Sequence, residues 1–223
     1  MSFTQWLQQL DTAWLIETAI TVAAALLCIT FHETCHGLMA LWLGDKTAKN
    51  QKRLSLNPLR HVDIPGLVMM AVFKFGWAKP VPVNMRNFKK PKWGMALTAL
   101  AGPVSNVLLA FFALLFAFGI TSFTEENSIW EYLLLFFFYT AVLSTGLAVF
   151  NLIPIPPLDG SKVLFALLPN RAYEMLMRCE KYGMVLLIIV LFSGVLDTPL
   201  AFLRDGLLNA LSAAAFLPFK LFF

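Results

Sequence analysis

Residues 95–120 contain no charged side chain. A helix of that length measures roughly 39 Å, more than the ~30 Å hydrocarbon core of a bilayer requires. Comparable apolar blocks cover residues 14–43, 130–151 and 182–196. The chain of 223 residues is 59% apolar and 13% charged, whereas soluble domains carry about 25% charged residues. The sequence therefore predicts an all-α, polytopic membrane protein.

These four blocks form the core of one membrane domain that occupies residues 1–223. Residues 200–220 include Arg204 and Asp205, so they form either a fifth span or an interfacial helix. The apolar run within residues 62–90 is short and contains Lys74, which argues against a crossing. A proline-rich, extended stretch follows it. We predict a re-entrant, membrane-associated β-hairpin in this region.

The basic residues are concentrated in one loop. Eleven of the 17 Lys and Arg residues lie between Asp45 and Lys92, together with only two acids. Nucleic-acid binding would be one explanation. The positive-inside bias of membrane proteins favours a cytoplasmic loop beside the bilayer. We expect a multi-pass protein of the cell membrane with no nucleic-acid partner.

His32 and His36 lie four residues apart in the first apolar block, with Glu33 between them. On a helix this spacing places both imidazoles on one face, where they can bind one metal ion beside Glu33. Polar groups at this depth are costly and call for a chemical reason. Two core histidines satisfied by hydrogen bonds are the structural alternative. A catalytic zinc ion takes three protein ligands and leaves a position for water, which Glu33 would deprotonate.

The third ligand has to come from elsewhere in the chain. Glu17 is about four helical turns from His32, and Glu131 belongs to the outer end of its span. Asp159 follows a span that heads inward and reaches the depth of a motif placed near the inner end of its helix. Position therefore favours Asp159.

The segments His32–Gly37 (HETCHG) and Asn151–Gly160 (NLIPIPPLDG) resemble the motifs of the site-2 protease family of intramembrane metalloproteases. The resemblance extends over residues 25–165 and is closest to the compact bacterial branch without a PDZ domain. Three further stretches match it in the family's order: Arg53–Pro58, Trp77–Val83 and Ala101–Asn106.

The resemblance implies one Zn²⁺ per chain, held by His32, His36 and Asp159, with Glu33 as the catalytic glutamate. It places Asn151 near the scissile bond, where its amide bonds the substrate backbone or the oxyanion. Asn106 is a second candidate for this role. An interhelical hydrogen bond explains Asn106 equally well.

The implied activity is cleavage of transmembrane segments of membrane proteins, near the cytoplasmic side, as in regulated intramembrane proteolysis. A helical substrate has to unwind first, and the stretch with Val81, Val83 and Asn84 would capture it by β-augmentation. A divalent-metal transporter and an inactive membrane scaffold are the alternatives. The transporter would need a polar route that residues 95–120 do not offer.

Overall fold

The computed structural model describes residues 12–63, 66, 78–121 and 129–220. Within these residues the α-helices are α1 Thr12–Trp42, α2 Thr47–Asn50, α3 Pro91–Ile120, α4 Ile129–Asn151, α5 Asp159–Leu167, α6 Asn170–Cys179, α7 Gly183–Phe192 and α8 Asp197–Phe216. Short 3₁₀ turns occupy Pro58–Arg60, Met85–Asn87, Glu180–Tyr182 and Leu217–Phe219.

Helices α1, α3 and α4 pack against one another and form the centre of the molecule. Their contact surfaces are built from small side chains, and Ala24, Ala110 and Ala141 are fully buried. Small residues let helix backbones approach closely, which favours association in lipid. The hydroxyl of Ser144 donates to the carbonyl of Asn106 at 2.9 Å and ties α4 to α3.

Among the described residues, four helices are long and apolar enough to cross a membrane: α1, α3, α4 and the helix that begins at Asp197. This confirms the all-α, polytopic membrane fold. The predicted span at 182–196 differs, because α7 has only ten residues. It is about 15 Å long, half of what a crossing needs.

Helix α7 packs instead against the loop that follows α4. Leu187 is 1% exposed and forms an apolar cluster with Ile153 and Leu158 of that loop. At Gly183 the backbone approaches so closely that a Cβ atom would lie 2.6 Å from the carbonyl oxygen of Pro156. One face of α7 therefore supports this loop through Leu187, whereas Val185, Ile189 and Phe192 on its other sides are exposed.

Helix α8 runs antiparallel to α4. Near its start, the Cδ of Arg204 would lie 3.9 Å from a Cβ atom on Gly146, in the second half of α4. At its end, the rings of Phe216 and Phe118 are 5.3 Å apart, beside the end of α3. The helix in the 200–220 region is thus long and apolar enough to be a span, which is one of the two alternatives predicted for it.

The predicted β-hairpin is not confirmed. The described residues of this region, 62–63, 66 and 78–90, form no strand. Residues 64–65 and 67–77 of the prediction lie outside the described residues. Residues 78–84 are extended, as the prolines require, and they lead into the 3₁₀ turn that begins at Met85.

Candidate metal centre

Helix α1 places His32 and His36 on one face, one turn apart. Both side chains are buried, and their Nε2 atoms are 2.9 Å apart. The rings meet edge to face with centroids 4.4 Å apart. Their Nε2 atoms therefore converge on one point, as two ligands of a single ion would.

Asp159 reaches the same point from another part of the chain. Helix α4 ends at Asn151, and the loop of residues 152–158 leads into α5, whose first residue is Asp159. Its Oδ2 lies 3.2 Å from His32 Nε2 and 3.1 Å from His36 Nε2. A ligand atom from each residue lies within 4.8 Å of the other two.

Gly102 of α3 makes room for the two imidazoles. A Cβ atom at this position would lie 2.5 Å from His36 Nε2 and equally close to His32 Cε1. Such a contact is far inside van der Waals separation, so a side chain here would displace the rings. The glycine at position 102 of α3 is thus a requirement of the site.

Helix α3 also supplies hydrogen-bond partners behind the two rings. His36 Nδ1 lies 2.7 Å from the carbonyl oxygen of Thr98. A carbonyl only accepts, so Nδ1 carries the proton and the Nε2 lone pair is available to a metal. His32 Nδ1 lies 3.2 Å from the amide Nδ2 of Asn106. Asn106 is fully buried, and its Oδ1 has no hydrogen-bond partner among the described residues.

The second oxygen of Asp159 faces a cation. Lys162, one helical turn further along α5, places its Nζ 3.8 Å from Asp159 Oδ1. The positive charge of Lys162 favours the ionised form of Asp159, which is the form that binds a metal.

Glu33 does not belong to the cluster of His32, His36 and Asp159. Its carboxylate contacts the extended segment. Its Oε2 accepts a hydrogen bond from the backbone N–H of Val81 at 2.8 Å. Pro80 and Pro82 flank Val81 and have no N–H. Val81 is consequently the sole backbone donor in this three-residue stretch, and the bond leaves Glu33 Oε1 free.

Arg53 fixes one end of this extended segment. Its guanidinium donates to the carbonyl oxygens of Lys79 at 2.8 Å and Pro80 at 3.2 Å. The backbone N–H of Lys79 donates to the carbonyl of His61 at 2.8 Å. The backbone of Lys79 and Pro80, just before Val81, is thereby held by hydrogen bonds to Arg53 and His61.

Asp45 fixes the other end. It is fully buried just after α1, and its carboxylate accepts from the N–H of Asn84 and the amide of Asn87, both at 2.7 Å. It also accepts from the N–H of Thr47 at 3.0 Å. Burial opposes its ionisation, but these hydrogen bonds hold the pKa of Asp45 below its ordinary value.

The site opens into a cavity of about 330 Å³. Most of the residues predicted from the sequence line it: His32, Glu33, His36, Val81, Val83, Asn151 and Asp159. Two do not. Asn106 lies behind His32, and Asn84 is engaged with Asp45.

Sequence reasoning missed Lys162 and Glu180, which also line the cavity. Lys162 follows Asp159 by one helical turn, and this spacing could have predicted that the two side chains lie close together.

These residues fit a metal ion by their chemistry. Two imidazole nitrogens and one carboxylate oxygen converge, and Glu33 stands beside them without belonging to the cluster. His36 has its second nitrogen satisfied by a carbonyl. Turning the Asn106 amide by 180° brings its unpartnered Oδ1 to His32 Nδ1, where it would accept the proton of that nitrogen and leave Nε2 to a metal. Ligating histidines are usually oriented by partners of this kind.

Comparison with known proteins decides the family. A family model described as peptidase family M50 matches residues 117–194. The protein YwhC of Bacillus subtilis is 38% identical over 201 residues, which cover 86% of this chain and 90% of YwhC. The chain belongs to peptidase family M50.

The resemblance inferred from the motifs is thereby confirmed, and this M50 protein is an intramembrane metalloprotease. YwhC is named "Putative zinc metalloprotease", and two more distant relatives bear the same description. Rip2 of Mycolicibacterium smegmatis is 25% identical over 80% of this chain and 68% of Rip2. MJ0611 of Methanocaldococcus jannaschii is 33% identical over 60% of this chain and 63% of MJ0611. No solved structure matches this chain.

Proposed function

We propose that this protein is a zinc-dependent endopeptidase that cleaves transmembrane segments of membrane proteins on the cytoplasmic side of the cell membrane. The observation that supports it most is the convergence of His32, His36 and Asp159 beside Glu33 in one cavity. The relatives named as zinc metalloproteases support zinc as the metal. His32 and His36 bind it through Nε2, and Asp159 binds it through its carboxylate.

When bound, zinc acts as a Lewis acid toward water and the substrate carbonyl. Glu33 is the general base, which takes the proton from the attacking water and passes it to the leaving amine. The hydrogen bond from Val81 to Oε2 orients the carboxylate and leaves Oε1 to accept that proton. Asn151 lines the same cavity and donates one amide hydrogen to the carbonyl of Leu147 at 2.9 Å. Its other amide hydrogen donates to the substrate backbone or to the developing oxyanion.

The substrate backbone is bound in an extended form along residues 81–83. The carbonyls of Lys79 and Pro80 and the N–H groups of Val81 and Asn84 are already hydrogen-bonded within the protein. Pairing with the substrate therefore falls to the carbonyl of Val81 and to Val83. This limits β-augmentation to a short stretch, because the neighbouring backbone groups already have hydrogen-bond partners within the protein.

The cytoplasmic placement rests on the charges of the loops. The basic loop between α1 and α3 adjoins the end of α1 that bears His36, and the opposite turn contains Glu125 and Glu126. The positive-inside bias assigns the basic side to the cytoplasm. The metal site then lies in the cytoplasmic half of the membrane, since His36 is six residues before the end of α1.

The test is Glu33→Gln in purified, zinc-loaded protein, with fluorophore-labelled casein as an unfolded probe. We expect one zinc per chain by mass spectrometry of the metal, and a loss of cleavage of about 10²–10⁴-fold, since a general base contributes that much. Glu17→Gln on the same helix is the control and should keep full activity. Cleavage by Glu33→Gln at the wild-type rate would overturn the mechanism.

A further inference from the structure

A second cavity, of about 300 Å³, lies on the loop between α1 and α3 and does not include the metal ligands. Four cationic residues line it: Lys52, Arg53, Arg60 and Lys79. No acidic residue is among the described residues that line it. Four like charges around one concavity repel one another, and an anion bound there would relieve that repulsion.

Hydrogen bonds to backbone carbonyls fix the two guanidinium groups. Arg53 donates to Lys79 and Pro80, and Arg60 donates to the carbonyl of Lys52. Lys52 itself has a φ of +54°, in the left-handed region that is costly for a residue with a side chain. Arg60 thus stabilises the turn that directs Lys52 toward the cavity. The side chains of Lys52 and Lys79 make no hydrogen bond with the described residues, so both ammonium groups are available to a ligand.

Two large apolar side chains are exposed beside these cations. Leu59 lines the cavity and is 79% exposed, and the nearby Leu56 is 67% exposed. Exposed apolar residues next to basic ones are typical of a surface that enters the headgroup region of a membrane. A soluble phosphate would gain nothing from the leucines, whereas a phospholipid offers both a phosphate and an apolar chain.

We propose that this cavity, with its rim of Leu56 and Leu59, binds the phosphate headgroup of an anionic phospholipid of the cytoplasmic leaflet. Lys52 and Lys79 contact the phosphate as point charges, and the N–H groups of Arg53 and Arg60 that are not engaged with carbonyls complete the contact. The proposal concerns binding alone, so its outcome is independent of the proposed proteolysis.

The experiment titrates the detergent-solubilised protein with palmitoyl-oleoyl phosphatidylglycerol and follows binding by native mass spectrometry. Palmitoyl-oleoyl phosphatidylcholine and inorganic phosphate are the comparison probes. Removing two lysines near an anionic group should weaken binding of phosphatidylglycerol about tenfold or more. The test variant is therefore Lys52→Gln with Lys79→Gln, which leaves every hydrogen bond described above in place.

The matched control is Lys89→Gln with Lys90→Gln, which removes the same charge from the same basic loop, just before α3. It should bind phosphatidylglycerol like the wild type, and Lys52→Arg with Lys79→Arg should also retain binding. An equal loss in the control, no preference over phosphatidylcholine, or inorganic phosphate binding as tightly as the lipid would each overturn the proposal. The charge-conserving variant shows whether a loss reflects charge or folding, because it alters the same two positions.

Discussion

The two walls of the active-site cavity are built on different principles. One wall is made of side chains on helices: His32 and His36 of α1, and Asp159 of α5. The other wall is formed by Pro80, Val81 and Val83 of the extended segment, which contacts Glu33 through the backbone N–H of Val81. A substitution on the first wall removes a functional group outright. On the second wall the backbone group persists after substitution, and only its position changes, so we expect effects of graded size.

The largest effect should come from Asp159→Ala on the helical wall. It removes one of three ligands, so we expect the zinc content of the purified protein to fall well below one per chain. Cleavage of labelled casein should be undetectable. Asp205→Ala, an exposed acid paired with its neighbour Arg204, is the control and should keep its zinc. If Asp159→Ala retained zinc with wild-type affinity, the third ligand would have to be another residue.

A smaller effect should come from Asn106→Leu, which lies on α3 behind His32 and outside the cavity. Loss of the partner behind His32 should lower zinc affinity about 10–100-fold, measured by competition with a chelator. With saturating zinc, KM should stay unchanged, because Asn106 does not line the cavity. Ser144→Ala, which removes a hydrogen bond to the Asn106 carbonyl and leaves the Asn106 side-chain amide in place, serves as the control.

The same variant separates the two roles that the sequence left open for Asn106. A raised KM or a lower kcat with unchanged zinc affinity would favour contact with the substrate or oxyanion. A loss of zinc affinity alone would make Asn106 a positioning residue for His32. The outcome thus shows whether Asn106 of α3 contributes to zinc binding or to contact with the substrate.

The smallest effect should come from Asp45→Asn, which loosens the backbone wall. Breaking one hydrogen bond to a buried carboxylate costs about 1–3 kcal/mol, so thermal unfolding should occur at a lower temperature. Amide hydrogen exchange in residues 78–87 should accelerate, and KM for casein should rise several-fold with zinc content unchanged. Arg86→Gln, whose side chain makes no hydrogen bond with the described residues, is the control. Unchanged exchange in Asp45→Asn would show that Asp45 does not hold the segment.

The pH dependence of this variant has a defined sign. Because the pKa of Asp45 is lowered in the folded protein, its contribution to the free energy of unfolding is complete above the unfolded pKa of about 3.9. The contribution is lost as the pH falls through the lower, folded pKa. The stability difference between wild type and Asp45→Asn should therefore be full at pH 7 and shrink below about pH 4.

The two walls also differ in how far the sequence predicts them. The spacing of His32 and His36 and the position of Asp159 predicted the helical wall, because helical periodicity and membrane depth are properties of the sequence. The prolines predicted that residues 78–84 are extended. They could not predict Arg53 and Asp45 as its anchors, since both act across many residues on backbone atoms, which leave no mark in a sequence pattern.

The short helix α7 shows the corresponding weakness for the fold. Hydropathy alone made residues 182–196 a membrane span, because a run of apolar residues does not show where its helix ends. In the structure α7 ends at Phe192, and Gly194 takes a φ of +70° before α8 begins at Asp197. The contact between Leu187 and the loop of residues 152–158 joins distant parts of the chain, so it has no local signal either.

The prolines on either side of Val81 also affect whether copies of the protein associate with one another in a crowded membrane. An enzyme that offers extended backbone to unwound segments risks pairing with other copies of itself, as open strand edges do. Pro80 and Pro82 remove two donors, and Glu33 occupies the one between them. What remains is too short to template a sheet, which limits pairing between copies of the protein through this edge. The proposed binding of a substrate strand would need only that short stretch.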